Sequence, residues 1–542
     1  MKKIAKYTAI AALAIGFAGC NDSFLDKAPT TTISEVTAFE SYKSTQAYMW
    51  PCYAILYNTT IATSPNDHGY ASVYNGDRNA GYFSNRTPGG YNAYAFQTVA
   101  PSSSGNGWDF GWIYHINIML KGLETSSMPT AEKEHWQAVG YFFHAFWYME
   151  LINRFGDVPW IDKVLDTDTD EPYGPRTPRD EVANNILTRL KWAEEHIGNF
   201  EEQDGRNAIN QACVQMALSR FTLREGTWRK YHGLNDADKY LTECVRVSKE
   251  LINKYPELYT GYGELWTSPS LANVPGVILY REYKTDFLTS MFNFRERNDQ
   301  AVYQLSQDMA DMYLTKNGLP ITNAQNTQYK GASKDIYDIF TDRDPRMYHT
   351  VTPPYSVIQG GTDKPAENPN CSWGYDTRDP KYRKFIDIMG ADVTVANPGK
   401  AGQMKRLPIS NWNAGNLIKK MPNLRGDNGP CSTASGYYLW KNYNGWELSN
   451  NNSAMCDSDK PIFKVEEAIL NYAEAACELG QFDQAAADIS INRLRKRAGV
   501  ADMEVAKIDA SFDPNRDKGN NPHWSGEMPD YEVEPLLWEI RR

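Results

Sequence analysis

Two helices joined by three residues can only lie side by side in opposite directions, and residues 461–499 spell such a pair. Val465, Ala468, Ile469, Tyr472, Ala476 and Leu479 recur on one helical face. Asp459 is placed to cap the start, with Pro461 in the first turn. Gly480 stands where a left-handed C-terminal residue belongs. Asp483 then caps a second helix carrying Ile489, Ile491, Leu494 and Ala498, which Gly499 closes. Small residues (Ala473, Ala475, Ala476 and Ala485 to Ala487) let the two backbones approach closely. The stretch predicts a tetratricopeptide-like hairpin.

Two further helical pairs come earlier, over 130–197 and 207–255. The first opens with a helix from Thr130 to Phe155; Gly156 stops it and Pro159 prevents its restart. Thr177 reads as the cap of its partner, which runs to Ile197 with Pro178 in the first turn. The second pair is Asn207 to Gly226 and Asp236 to Tyr255. Single helices are expected at Glu35 to Tyr57, marked by Phe39, Tyr42, Ala47 and Ile55, and at Trp108 to Gly122. The stretch 256–460 breaks the helical pattern with loops, short strands such as Val277 to Tyr280, and short helices such as Ser306 to Leu314.

The N-terminus has the parts of a bacterial lipoprotein signal. Lys2, Lys3 and Lys6 precede an apolar run from Tyr7 to Phe17, too short for a permanent membrane anchor. Phe17-Ala18-Gly19-Cys20 is a lipobox, so residues 1–19 are expected to be removed and Cys20 acylated. Residues 20–32, polar and containing Pro29, read as a tether. Removal of the signal leaves 53 basic and 67 acidic residues without a basic patch, which speaks against nucleic acid as a partner. Of eight cysteines seven remain after lipidation, with no CxxC pair, so neither a disulfide framework nor a zinc site is implied. Cys213, Cys244 and Cys477 fall in helical patterns as small buried residues.

Motifs for catalysis are absent from the sequence: no HExxH, GxSxG or Walker A, and Gly261-Tyr262-Gly263 lacks the third glycine of a dinucleotide loop. Asp166, Asp168 and Asp170 open like a calcium loop, but Glu171 replaces the required glycine and Thr177 the final glutamate. A solvated acidic loop accounts for them better; a surface calcium ion is the alternative, and no other cofactor is implied. What the sequence offers is aromatic surface. Asn58 to Gly107 is a long loop rich in Gly, Asn, Ser and Tyr. Tyr74, Asn75, Asp77, Arg78, Tyr82 and Trp108 mix rings with hydrogen-bonding groups in a short span. Flat rings stack on the C–H faces of sugars while the polar groups bind hydroxyls. Trp266, Tyr283 and Trp373, from the irregular middle, are candidates to fold over the same face. Tyr472, Phe143 and Phe146, on helical faces, belong to the core by their period.

The wording of several segments is more specific than their architecture. SFLDKAPTT after the lipobox, Phe155-Gly156-Asp157-Val158-Pro159-Trp160, ALSRFTLREGTW, LTKNGL, Arg343-Asp344-Pro345-Arg346, and LNYAEAACELG followed by INRLRKRAG occur in this order along the chain. In that order they resemble the SusD/RagB family of Bacteroidetes outer-membrane lipoproteins that capture glycans or other nutrients. The resemblance implies a mostly α, SusD-like α/α fold, with tetratricopeptide-like hairpins supporting a loop-rich part with short strands. It implies an N-terminal helical region over 33–255 and a RagB/SusD C-terminal region over 256–542. It also implies a TonB-dependent, SusC-like outer-membrane transporter as partner, a glycan as ligand, and a place on the outer face of the outer membrane. The family's export signal is an acidic run after the Cys, and only Asp22 stands there. The family continues past its last repeat, whereas Leu536 to Arg542 only begins such a helix, so a C-terminally truncated sequence is expected. A secreted carbohydrate-active enzyme and a repeat scaffold binding only proteins are the competing readings.

Overall fold

The computed structural model describes residues 38–56, 80–85, 107–165, 174–285, 287–290, 292, 296, 303–331, 335–361, 373–381, 383–385, 420–424, 432–443, 456–516 and 533–542. Its frame is helical: α1 Tyr42–Met49, α2 Gly111–Thr125, α3 Thr130–Phe155, α4 Arg179–His196, α5 Gln211–Tyr231, α6 Ala237–Lys254, α7 Gln307–Met312, α8 Val465–Glu478, α9 Gln484–Ile489, α10 Ile491–Ala498 and α11 Pro535–Arg541. Helix α3 is the axis of the main core. It is apolar around its circumference, with Phe142, Phe143, Phe146, Trp147 and Tyr148 all buried between α2, α4 and α5.

The three hairpins form as the periodicity requires, α3 with α4, α5 with α6, and α8 with the broken helix α9–α10. At the end of α8, Gly480 adopts φ +69°. Its N–H donates to Cys477 O at 2.9 Å and that of Gln481 to Ala476 O at 2.7 Å, a Schellman closure. Asp483 caps α9 by accepting from Ala486 N at 2.8 Å. The second and third hairpins are fastened by charge and by a buried polar knot. Arg220 forks onto Glu467 at 2.6 and 2.8 Å. Lys230 and Tyr231 both reach Glu478, at 2.7 and 2.6 Å. Between them Asn471 donates to Ser219 Oγ at 2.9 Å, and Ser219 meets Ser248 Oγ at 2.8 Å, so no hydroxyl of the knot is left unbonded inside the apolar layer.

Several local expectations are corrected. Pro461 is not in a helix: Lys460–Lys464 form a strand, and α8 starts at Val465. Asp459 caps nothing; its carboxylate accepts the N–H groups of Leu271 and Tyr283, each at 2.9 Å, and pins the chain beside that strand. Thr177 does not cap α4. Its hydroxyl accepts from Trp160 N, and Asp157 Oδ1 accepts from Arg179 N at 2.8 Å in its place. The helix expected over 35–57 is α1 followed by a 3-10 segment from Trp50, since Pro51 cannot donate to the α ladder. Ala47 and Ile489 face solvent, and Ser490 breaks the last hairpin's second helix at φ −123°, ψ −99°.

The strands are β1 Phe83–Asn85, β2 Val277–Arg281, β3 Tyr303–Leu305, β4 Tyr355–Gln359, β5 Trp373–Tyr375, β6 Lys420–Met421, β7 Asn423–Leu424, β8 Ser432–Thr433 and β9 Lys460–Lys464. Pairs β1–β3 and β2–β9, and the three-stranded β5–β4–β6, are antiparallel; β7 and β8 run parallel. The β2–β9 ribbon joins the irregular middle to the third hairpin and sends Leu279 and Phe463 into the main core. A separate apolar cluster around Phe292, Leu305, Phe340, Met347 and Leu439 holds the irregular part together. Arg343 sits fully buried beside it, giving its N–H groups to the carbonyls of Ala310, Tyr313 and Ile339. The Arg343-Asp344-Pro345-Arg346 segment is thus a packing device.

A candidate ligand-binding cleft

Trp108 stands just ahead of α2 on a loop with little freedom. Asp109 Oδ1 accepts from Gly111 N at 2.8 Å, and Asp109 O accepts from the indole of Trp147 at 2.8 Å. The Trp108 ring meets Phe110 and Phe155 edge-on, with centroids 5.4 and 5.0 Å away. The Arg176 guanidinium lies 4.7 Å from its centroid. Beside it opens a cleft of about 280 Å³, lined by Trp108, Phe110, Ile113, Tyr114, Pro159, Ile161, Lys163 and Leu165.

One wall is the exit of α3. Gly156, at φ +70°, turns the chain out of the helix, and a bridge between Val158 and Thr177 sets its direction. The wall is then bolted to the helices behind it. Tyr148 Oη donates to Pro159 O at 2.9 Å and accepts from Ile161 N at 2.8 Å. Asn117 Nδ2 donates to Ile161 O at 3.2 Å and Lys163 O at 3.0 Å. His144 Nε2 is 3.0 Å from Ile161 O, a carbonyl that can only accept, so Nε2 carries the proton. Burial, with the nearby Arg189 charge, holds His144 well below the usual histidine range, so the ring stays neutral.

Tyr114 presents the cleft's open ring. It is 52% exposed, because position 114 falls out of phase with Ile113, Ile116 and Leu123 on α2. Among the described residues that line this cleft there is no carboxylate, histidine or thiol. What it offers is an aromatic and aliphatic face with a phenol and an ammonium at its margin, on a backbone fixed by hydrogen bonds.

The residues expected from sequence divide three ways. Trp108 lines the cleft. Tyr82, 41% exposed, precedes β1, where its carbonyl accepts from Ser306 N, and is not part of the lining. Tyr283 is 3% exposed, a core ring under the Arg281 guanidinium, which corrects its assignment to a stacking surface. Trp266 is half-buried, with Lys441 and Lys464 on its ring, and is not brought to Trp108. Trp373 has its backbone in β5, opposite Gln359. Tyr74, Asn75, Asp77 and Arg78, like Cys20, the tether and the acidic triplet from Asp166, lie outside the described residues. Among the described residues no group of acidic, histidine and cysteine side chains is arranged to hold a metal ion. No described helix is long and apolar enough to cross a membrane.

A rigid helical frame thus carries an aromatic and aliphatic cleft beside Trp108. The chain belongs to the SusD family: the SusD family model matches residues 281–542, and a second model, described as starch-binding associating with outer membrane, matches 23–223. A SusD-like protein of Bacteroides ovatus is 24% identical over 326 residues, 57% of either chain. SusD-like protein P2 of Formosa agariphila is 30% identical over 93 residues, 17% of this chain and 18% of its own. The chain therefore matches little more than half the length of the first of these relatives and under a fifth of the second. Among solved structures, a SusD-like carbohydrate-binding protein from Bacteroides fragilis superposes with a TM-score of 0.59 at 16% identity, over 86% of this chain and 80% of that one. A second SusD-like protein from the same organism gives 0.51 at 16% identity, over 89% and 83%. These two establish the fold.

Proposed function

We propose that this protein is an outer-membrane lipoprotein, anchored through Cys20 and facing outward, that binds a glycan and delivers it to a TonB-dependent, SusC-like transporter. The observation that supports glycan binding is the cleft of Trp108 and Tyr114, an aromatic surface on a hydrogen-bonded support within a family of SusD-like carbohydrate-binding proteins. Each sugar face stacked on such a ring contributes on the order of 1 kcal/mol, so affinity comes from several modest contacts. The long segment from Asn58 to Gly107, which leads into Trp108, carries Tyr74, Asn75, Asp77, Arg78 and Tyr82 as further ligand residues in this reading. The hairpins supply the broad face for the transporter; Trp228 and Leu234 are exposed at the end of the second one. The N-terminal helical region spans 33–255 and the C-terminal region 256–542.

Affinity electrophoresis against a panel of polysaccharides tests the binding step. Retardation by at least one of them without release of shorter products is expected; hydrolysis of the retained glycan would favour the enzyme reading. Cys20→Ala is expected to move the protein from membrane to soluble fractions, and mild detergent extraction to recover it with a barrel partner.

A further inference from the structure

Two ammonium groups share one indole at the edge of the irregular part. Lys441 Nζ stands 4.0 Å and Lys464 Nζ 4.6 Å from the centroid of Trp266. Burial, and the like charge of Lys441, outweigh the pull of Glu466 and hold Lys464 below the usual lysine range. Tyr262 lies in the same cluster, with the Arg497 guanidinium 5.6 Å from its ring, and Lys441, Lys464, Arg346 and Arg497 act together on its hydroxyl.

Four cations meet here, and the carboxylates beside them are already engaged. Glu466 accepts from Arg497 Nη1 at 2.5 Å and Asp344 from Arg346 Nη2 at 2.5 Å. Among the described residues neither Lys441 nor Lys464 pairs with a carboxylate. Two buried donors likewise have no partner among the described residues: the indole N–H of Trp266 and Nε of Arg497, whose side chain is 93% buried. Like charges gathered at one ring, with N–H groups desolvated and unbonded, are costly unless an acceptor of negative charge completes them. Lys441, Lys464 and Trp266 are largely covered yet each keeps some exposed surface, so such a group can arrive from solvent.

We propose that Tyr262, Trp266, Lys441, Lys464 and Arg497 form a binding site for an oxyanion, a carboxylate or a sulfate, seated beside the Trp266 indole between the two ammonium groups. The oxyanion is either a free ion or the acidic substituent of a captured glycan. No residue of this site lines the Trp108 cleft, and the proposal does not rest on glycan binding there.

The test uses the full chain in three titrations at constant ionic strength: sodium sulfate, glucuronate with glucose as the neutral control, and a glucuronate-containing oligosaccharide with its reduced, neutral counterpart. Calorimetry and the melting temperature report binding. Saturable binding of sulfate or glucuronate at millimolar concentration is expected, with no response to glucose. Binding of the acidic oligosaccharide but of neither small anion would assign the oxyanion to a glycan; binding of the small anions alone would assign it to a free ion. Lys441→Gln is expected to weaken binding about tenfold, as for loss of one charge-assisted contact, and Lys441→Gln/Lys464→Met to abolish it. Lys441→Gln keeps the test open if the double variant fails to fold. Absence of saturable binding in the wild type, or an equal response in Lys441→Gln, overturns the proposal. So does a phenolate absorbance near neutral pH that Tyr262→Phe removes and no anion suppresses, since Tyr262 would then be the missing negative charge.

Discussion

Gly226→Ala separates the two forces that meet at the second hairpin. On an isolated helix the change gains about 1 kcal/mol, because alanine gives up less backbone entropy than glycine. In the middle of α5 the new methyl has no room. An ideal Cβ at Gly226 falls 2.7 Å from Leu241 Cγ, 2.8 Å from its Cδ2 and 3.1 Å from its backbone N. Leu241 is fully buried on α6. Turning its side chain relieves the first two contacts but not the third, so the helices must also move apart. Overpacking of this kind costs about 1–3 kcal/mol, and set against the propensity gain a net loss of up to about 2 kcal/mol is expected. Urea unfolding followed by tryptophan fluorescence reads it as a lower midpoint with an unchanged slope. Leu241→Ala alone should cost about 2–5 kcal/mol through the cavity it leaves. Because each change makes room for the other, the double variant should lose at least about 1 kcal/mol less than the two single losses together. A raised midpoint for Gly226→Ala, or strict additivity in the cycle, would refute the close approach of α5 and α6.

Two further outcomes follow from buried ionisable groups. Burial pushes the Asp459 carboxyl up to about 6, above its unfolded value, so its contribution to stability is present below about pH 4 and lost as pH rises to about 6. Asp459→Asn can accept only one of the two N–H groups now bound; it should melt lower than the wild type at pH 7, and the gap should widen as pH falls from about 6 to 4. A gap that narrows over that range would contradict the assignment. The thiols of Cys52, Cys213 and Cys244 are pushed up to about 12 and that of Cys477 to about 11 by burial. All four should resist iodoacetamide at pH 8 until the chain is unfolded, as read by peptide mass spectrometry; labelling of the native protein at these positions would show them accessible.

Period and punctuation made the helical frame legible. Tyr472, Phe143 and Phe146 are core because their spacing is helical, and Gly156, Gly480 and Asp483 act where their chemistry puts them. Errors arose where a distant partner outbids a local signal. Asp459 followed by Pro461 has the form of a cap and first turn, yet residues 277–281 offer a strand to pair with, and two remote N–H groups take the carboxylate. Thr177 and Asp157 are both capping residues, and only the fold decides which one reaches the helix. The same limit applies to the cleft. Trp108 stood out from its loop, but Tyr114 was hidden within a helix, and its out-of-phase position was the signal that could have found it. Tyr283 and Trp266 look identical to surface rings in sequence; packing used one in the core and placed lysines over the other.

If the Trp108 cleft holds the glycan, as proposed, Tyr114→Ala should expose it. Half of this ring faces solvent, so its removal should leave the melting temperature unchanged, whereas Trp108→Ala also removes packing on Phe110 and Phe155 and should lower it. Titration calorimetry of a polysaccharide that retards the wild type is expected to give about fivefold weaker binding for Tyr114→Ala, the loss of one stack worth about 1 kcal/mol. Wild-type affinity in a Tyr114→Ala protein of unchanged melting temperature would place the glycan elsewhere.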